Sequence, residues 1–163
     1  MSLAAAIRPD EWHLPLFVHV LGAMMLVGTL VVAAWFLFAA RRDNSLDGVR
    51  WGWRTLLFAA LPSYIVMRVG AEWIADEENL GDSEAAWIGI GFITSDAGAL
   101  LLIVALVAVG IAVRRAGRAE ATAAASGAGA TAAGTGVAIA AWATAALIVV
   151  YLVAIWAMAA KPI

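Results

Sequence analysis

Residues 14–42 of the chain read LPLFVHVLGAMMLVGTLVVAAWFLFAARR, and this stretch decides the class of fold. Its apolar part, 14–40, contains no Asp, Glu, Lys or Arg, and it is followed by two arginines. A helix needs about 20 apolar residues to cross the hydrocarbon core of a bilayer. The stretch is long enough, so it is predicted to be a transmembrane helix.

Three more apolar blocks follow, at 56–75, 87–113 and 137–160. The whole chain is 64% hydrophobic and 13% charged, which is too apolar for a water-soluble domain of 163 residues. The blocks predict an all-α fold, a four-helix transmembrane bundle that forms one membrane domain over residues 1–163. Residues 116–136 are mainly Ala, Gly, Thr and Ser, a composition that predicts a flexible cytoplasmic linker.

The distribution of charge predicts the orientation. The connections after the first and third blocks hold seven of the ten Lys and Arg residues, whereas the connection after the second, ADEENLGDSEA, is acidic. Positive residues in short loops stay in the cytoplasm, so both termini are predicted on the extracytoplasmic side of a plasma or inner membrane. The tryptophans agree, because indoles prefer the headgroup level. An outer belt is predicted for Trp12, Trp73, Trp87 and Trp156, and an inner belt for Trp35, Trp51, Trp53 and Trp142.

Polar residues inside the blocks form the candidate site. A charged side chain costs about 2.5–3.5 kcal/mol at the centre of a span unless it is paired or hydrated. At 1.5 Å per residue, polar side chains from several spans fall in one layer of the outer half. This predicted polar cluster, with a ligand-binding or a purely structural role, contains Tyr64, Arg68, Glu72, Ser95, Asp96 and Tyr151. Arg68 and Asp96 are predicted to form an ion pair inside the bundle.

Two further features predict helix geometry. Pro62 removes the donor to the Phe58 carbonyl, which predicts a kink in the second span. In the fourth span a seam with spacings of three and four predicts the contact face in a left-handed bundle. The seam contains Ala140, Thr144, Leu147, Tyr151, Ala154 and Met158.

His19, in the first block, supports an alternative function. A neutral imidazole inside a helical bundle is an axial ligand of haem iron, and His19 would be the haem-binding residue. The chain has two histidines, and His13 precedes the span, so the other axial ligand would be a methionine. The candidates are Met24, Met25, Met67 and Met158. Haem is the one cofactor left open, and no metal site is predicted.

The composition also bears on other functions. With no cysteine, the chain has no disulfides, iron–sulfur clusters or thiol nucleophiles. No nucleophile has a neighbouring base and no His-x-x-x-His spacing occurs, so an enzyme is not expected. The net charge is −2 and membrane topology accounts for the basic residues, so nucleic acid is not an expected partner.

Three segments carry a resemblance to known proteins: HVLGAMMLVG at 19–28, LPSYIVMRVGAEWI at 61–74 and AAWIGIGFITSDAGALLLI at 85–103. They resemble small four-span bacterial integral membrane proteins of uncharacterised function. The likeness covers most of the chain outside the linker and implies membrane location without an activity.

The sequence therefore predicts an integral membrane protein without catalytic activity, either an accessory subunit or a small binding module that uses the polar cluster. The expected partners are the lipid bilayer and either a second copy of the chain or another membrane protein. Two alternatives stay open: a haem-binding redox module with His19 as axial ligand, and a subunit of an oligomeric transporter or channel.

Overall fold

The computed structural model describes residues 13–77, 86–126 and 134–160, and all regular structure in these ranges is helical. The helices are α1 (His13–Asp43), α2 (Leu46–Thr55), α3 (Leu61–Glu77), α4 (Ala86–Ser126) and α5 (Thr135–Ala160), with a π-helical turn, Leu56–Ala60, between α2 and α3. Four helical segments are long and apolar enough to cross a membrane: Leu14–Asp43, Leu46–Glu77, Ile88–Thr122 and Thr135–Ala159. The four predicted spans are therefore confirmed as helices.

Successive spans are antiparallel, which gives the bundle two distinct ends. The terminal end carries His13, Glu77, Ala86 and Ala160, and the arginine end carries Asp43, Leu46, Ser126 and Thr135. Seven arginines other than Arg68 lie in the described ranges, and they cluster toward the arginine end. Six of them are exposed, and Arg50 is half-buried. The asymmetry of charge along the sequence is thus an asymmetry between the two ends of the fold.

The connection between α1 and the second span is shorter than the sequence predicts. Asn44 adopts the left-handed conformation (φ 52°), and the Ser45 N–H donates to the Ala40 carbonyl at 3.0 Å, which closes the last turn of α1. Ser45 then caps α2, because its hydroxyl accepts a hydrogen bond from the Gly48 N–H at 3.2 Å. The two residues between the helices thus reverse the chain.

The predicted flexible linker is wrong over its first part. Residues 116–126 continue α4 as a helix, since alanine has the highest helix propensity and dominates this stretch. The extension also gains a tertiary contact, an ion pair between Glu120 and Arg50 of α2. Of the remaining predicted linker residues, 127–133 lie outside the described ranges, whereas Thr135 and Gly136 already belong to α5.

Pro62 explains the π-helical turn before α3. Proline has no N–H and its ring crowds the carbonyl four residues earlier, so the regular ladder is interrupted here. The Leu61 N–H donates instead to the Leu56 carbonyl, five residues back, which is the wider bonding pattern of a π-helix. The structure thus shows a π-helical turn directly before Pro62, in the part of the span where this proline predicts a kink.

The apolar core lies mainly toward the arginine end, and α1 is its central helix. Its fully buried members include Leu26, Leu30, Ala33, Leu37, Leu56, Leu102, Ala105, Val109, Ala140 and Leu147. Large apolar side chains also cover the outside of all four spans, among them Phe17, Met24, Phe58, Ile93, Leu100 and Val149. Such a surface suits contact with lipid, because soluble monomers rarely expose large apolar patches.

The predicted seam on α5 is confirmed over most of its length. Its buried residues are Ala140, Thr144, Leu147, Tyr151 and Ala154. Met158 is partly exposed, and its terminal methyl lies beside Gly91 of α4. This seam binds α5 to α4 in one of the two closest helix pairs of the bundle; the other pair is α1 with α3.

Candidate functional site

The two backbones of α1 and α3 touch where a pair of glycines faces the opposite helix. A Cβ atom at Gly22 would lie 2.5 Å from the Met67 nitrogen, and one at Gly70 would lie 2.6 Å from the His19 nitrogen. Real Cβ atoms do not approach other atoms this closely, so each position requires glycine. Small residues of this kind allow close packing of membrane helices. We call this contact the α1–α3 seam.

The other side of α3 is open. α3 makes few contacts with α4, whereas α2 contacts α4 well at the arginine end. There the Trp53 ring nitrogen lies 3.4 Å from the position that a Cβ at Gly110 would take, and Arg50 pairs with Glu120. The two spans therefore meet at the arginine end and separate toward the terminal end. We call the resulting space the α3–α4 cleft.

Arg68 pairs with two carboxylates, one on its own helix and one across this cleft. Its Nη2 lies 2.7 Å from Glu72 Oε1 on its own helix, and its Nη1 lies 3.2 Å from Asp96 Oδ1 on α4. The guanidinium carbon also lies 5.6 Å from the centre of the Phe92 ring, a cation–π distance. The predicted pairing of Arg68 with Asp96 is thus confirmed, and Glu72 belongs to the same network.

The predicted location of this pair inside the bundle is wrong. The Asp96 side chain is 69% exposed, that of Glu72 48% and that of Arg68 28%. The reason is the separation of α3 from α4, which places both carboxylates at the mouth of the cleft. At 1.5 Å per residue, Arg68 lies about 14 Å from the end of α3 at Glu77, and Asp96 about 15 Å from the start of α4 at Ala86. The charged group is therefore accessible at membrane depth.

Three hydroxyl groups, those of Tyr64, Ser95 and Tyr151, lie in or beside the α3–α4 cleft. Tyr64 donates a long hydrogen bond, 3.5 Å, to the Ser95 carbonyl and so joins α3 to α4 beside the ion pair. The Ser95 hydroxyl and the Tyr151 hydroxyl are buried and bond to no other described residue. Tyr151 is 5% exposed, and Gly98 makes room for it, because a Cβ there would lie 2.3 Å from the tyrosine oxygen. All six residues of the predicted cluster thus line or adjoin one cleft.

His19 has a different place, in the α1–α3 seam. Its Nδ1 lies 3.0 Å from the Met67 carbonyl oxygen, so the imidazole joins the two helices. The backbones in contact beside it leave no slot for a porphyrin between α1 and α3. Of the methionines proposed as the second ligand, Met158 packs on α4 and Met67 is buried in the seam. These contacts concern only the space between α1 and α3, so haem binding by His19 stays a prediction.

The polar groups of the cleft define what it can recognise. Within the described ranges, no group of three His, Cys, Asp or Glu side chains is arranged to hold a metal ion. The cleft contains an arginine, two carboxylates and three hydroxyls, with a net charge of −1, and none of the hydroxyls bonds to a base. These groups are complementary to a hydrogen-bond donor or a positive charge.

Sequence reasoning missed three glycines, of which Gly22 and Gly70 form the α1–α3 seam and Gly98 makes room for Tyr151 beside the cleft. Their signal is weak, since fifteen glycines occur in the chain and only contact partners show which of them are constrained. Comparison with protein-family models, curated proteins and solved structures finds no match. The resemblance to small four-span bacterial membrane proteins stays a prediction.

Proposed function

We propose that this protein is a multi-pass subunit of the cell membrane without catalytic activity, and that its α3–α4 cleft binds a transmembrane helix of a partner protein. The single observation that carries the proposal is the exposed Asp96 carboxylate in a block, residues 87–113, that contains no other charged residue. A charged group at this depth requires a partner or water.

The orientation is part of the proposal. The excess of arginine at one end favours a cytoplasmic location for that end, with both termini outside. The natural chain has no cysteine, so single cysteines give clean reporters. A cysteine at Ser2 or Glu78 should react with an impermeant thiol reagent added to intact cells, and one at Asp47 should not. Labelling of Asp47→Cys from outside would show that the orientation is the opposite of the one proposed.

The chemistry of the cleft defines the partner. Arg68 engages one oxygen of Asp96, and the Asp96 side chain is 69% exposed. A partner helix with a Lys, Arg, Asn or Gln side chain at matching depth would donate to this carboxylate, and such interhelical bonds contribute about 0.6–2 kcal/mol each. The remaining contact would come from apolar residues on the open face of α4, such as Ile93.

Site-specific photocrosslinking tests the proposal directly. A photoreactive side chain at Ile93, on the same face of α4 as Asp96, should form an adduct with another membrane protein in intact cells. Ile155 is the matched control, because it is an exposed isoleucine near the same end of the bundle but on α5. We expect a protein adduct from position 93 that is absent from position 155 and is reduced by Asp96→Leu.

Equal adducts at both positions, or none at position 93, would contradict the proposal. An adduct with twice the mass of the monomer would identify a second copy of this chain as the partner. Absorption spectroscopy addresses the haem alternative, since bound haem produces an intense Soret band. We expect no such band in the purified protein, and a Soret band that His19→Ala removes would establish the redox module instead.

A further inference from the structure

An open cavity lies at the arginine end, between the last turns of α1 and the first turn of α5. Its volume is about 540 Å³, and its lining combines apolar side chains with two guanidinium groups. The lining residues are Phe38, Arg41, Arg42, Gly134, Thr135 and Ala138. This cavity is separate from the α3–α4 cleft, which lies in the other half of the bundle.

The charges at the cavity are unbalanced. Arg42 bonds to Asp43 through Nε and Nη2, at 2.8 Å and 3.2 Å, whereas Arg41 forms no ion pair with any residue in the described ranges. These three side chains carry a net charge of +1. The cavity also lies at the N-terminus of α5, whose helix dipole favours an anion. The cavity therefore complements a negatively charged group.

The surroundings place this group at the level of lipid headgroups. Trp35 and Trp142 are exposed near this end of the bundle, and the Trp142 ring contacts Phe38 edge to face with centres 5.3 Å apart. Exposed tryptophans of this kind mark the membrane interface. Arginine binds phosphate through paired hydrogen bonds, and apolar neighbours suit the start of an acyl chain.

We propose that this cavity binds an anionic phospholipid, with Arg41 and Arg42 on its phosphate and with Phe38 and Ala138 beside the first carbons of its acyl chains. A free phosphate ion shares the charge but has no apolar part. The apolar lining therefore favours the lipid. Competition with soluble phosphate distinguishes a bound phospholipid from a bound phosphate ion.

Native mass spectrometry of the protein released from nanodiscs gives the test. Nanodiscs of phosphatidylglycerol and phosphatidylcholine are compared for the natural chain and for two double variants. One variant is Arg41→Gln with Arg42→Gln, and its matched control is Arg114→Gln with Arg115→Gln, also two adjacent exposed arginines near the same end. We expect the first to lower retention of phosphatidylglycerol about tenfold, because each arginine near the surface contributes to binding, and the control to retain it.

A third variant, Ala138→Leu, distinguishes binding inside the cavity from general attraction to the positive charge around it. It fills the space without a change of charge, so it should also lower retention of phosphatidylglycerol. Thermal unfolding in detergent checks that all variants fold. Equal losses in both arginine variants, or no loss in either, would contradict the site. Displacement of the lipid by millimolar inorganic phosphate would assign the cavity to a soluble anion and overturn the lipid proposal.

Discussion

The two sides of α3 differ in how they meet their neighbours. Toward α1, glycines let the backbones touch, and the His19 imidazole is bonded to the Met67 carbonyl. Toward α4, long side chains reach across a gap, through Arg68 and Tyr64. Direct backbone contact gives dense packing and leaves no room for a ligand. A gap bridged by side chains leaves polar atoms accessible, so the α3–α4 cleft is the side suited to binding.

The largest expected effect is on the α1–α3 seam. Gly22→Ala places a methyl group 2.5 Å from a backbone atom of α3, which rotation of a side chain does not relieve. We expect a loss of about 2–3 kcal/mol in the free energy of unfolding, measured in detergent by circular dichroism. Gly28→Ala is the control on the same helix, because a Cβ there has open space.

The control should be neutral or stabilising by up to about 1 kcal/mol, since alanine favours the helix. Similar losses at Gly22 and Gly28 would show that the α1–α3 seam is not a close contact. The proposed difference between the two sides of α3 would then be wrong for the side that faces α1.

The next effect concerns Tyr151 under the α3–α4 cleft. Gly98→Ala should cost about 1–2 kcal/mol, because its methyl group collides with the tyrosine ring and hydroxyl. Tyr151→Phe alone should be neutral or stabilising by about 1 kcal/mol, since the hydroxyl is buried without a partner among the described residues. The double variant should recover part of the cost, and strict additivity would place the hydroxyl away from Gly98.

The smallest effect is expected for the ion pair. Asp96→Asn should cost about 0.5–1 kcal/mol, because the pair is half exposed and Glu72 still engages Arg68. A buried pair would lose about 3–5 kcal/mol on removal of one partner. A double-mutant cycle of Asp96→Leu with Arg68→Leu measures the coupling. A coupling above about 3 kcal/mol would mean that the cleft is closed and its charges buried.

Much of this architecture is predictable from the sequence. The four spans, the polar character of Arg68, Glu72 and Asp96, and the seam on α5 follow from local pattern and helical spacing. The helical nature of residues 116–126 is missed because low complexity is also typical of linkers. The exposure of Asp96 is missed because spacing places a residue on a helix face without showing which neighbour, if any, covers that face.

The sequence by itself determines that long apolar helices form, since within lipid each backbone polar group must bond inside its own helix. It also determines the charge difference between the two ends, because seven arginines follow the first and third apolar blocks. The tertiary structure alone decides that α3 closes against α1 and opens toward α4. That choice depends on Gly22 meeting Met67 and Gly70 meeting His19, contacts between residues far apart in the chain. Such contacts arise from the fit of two surfaces, which no local pattern contains.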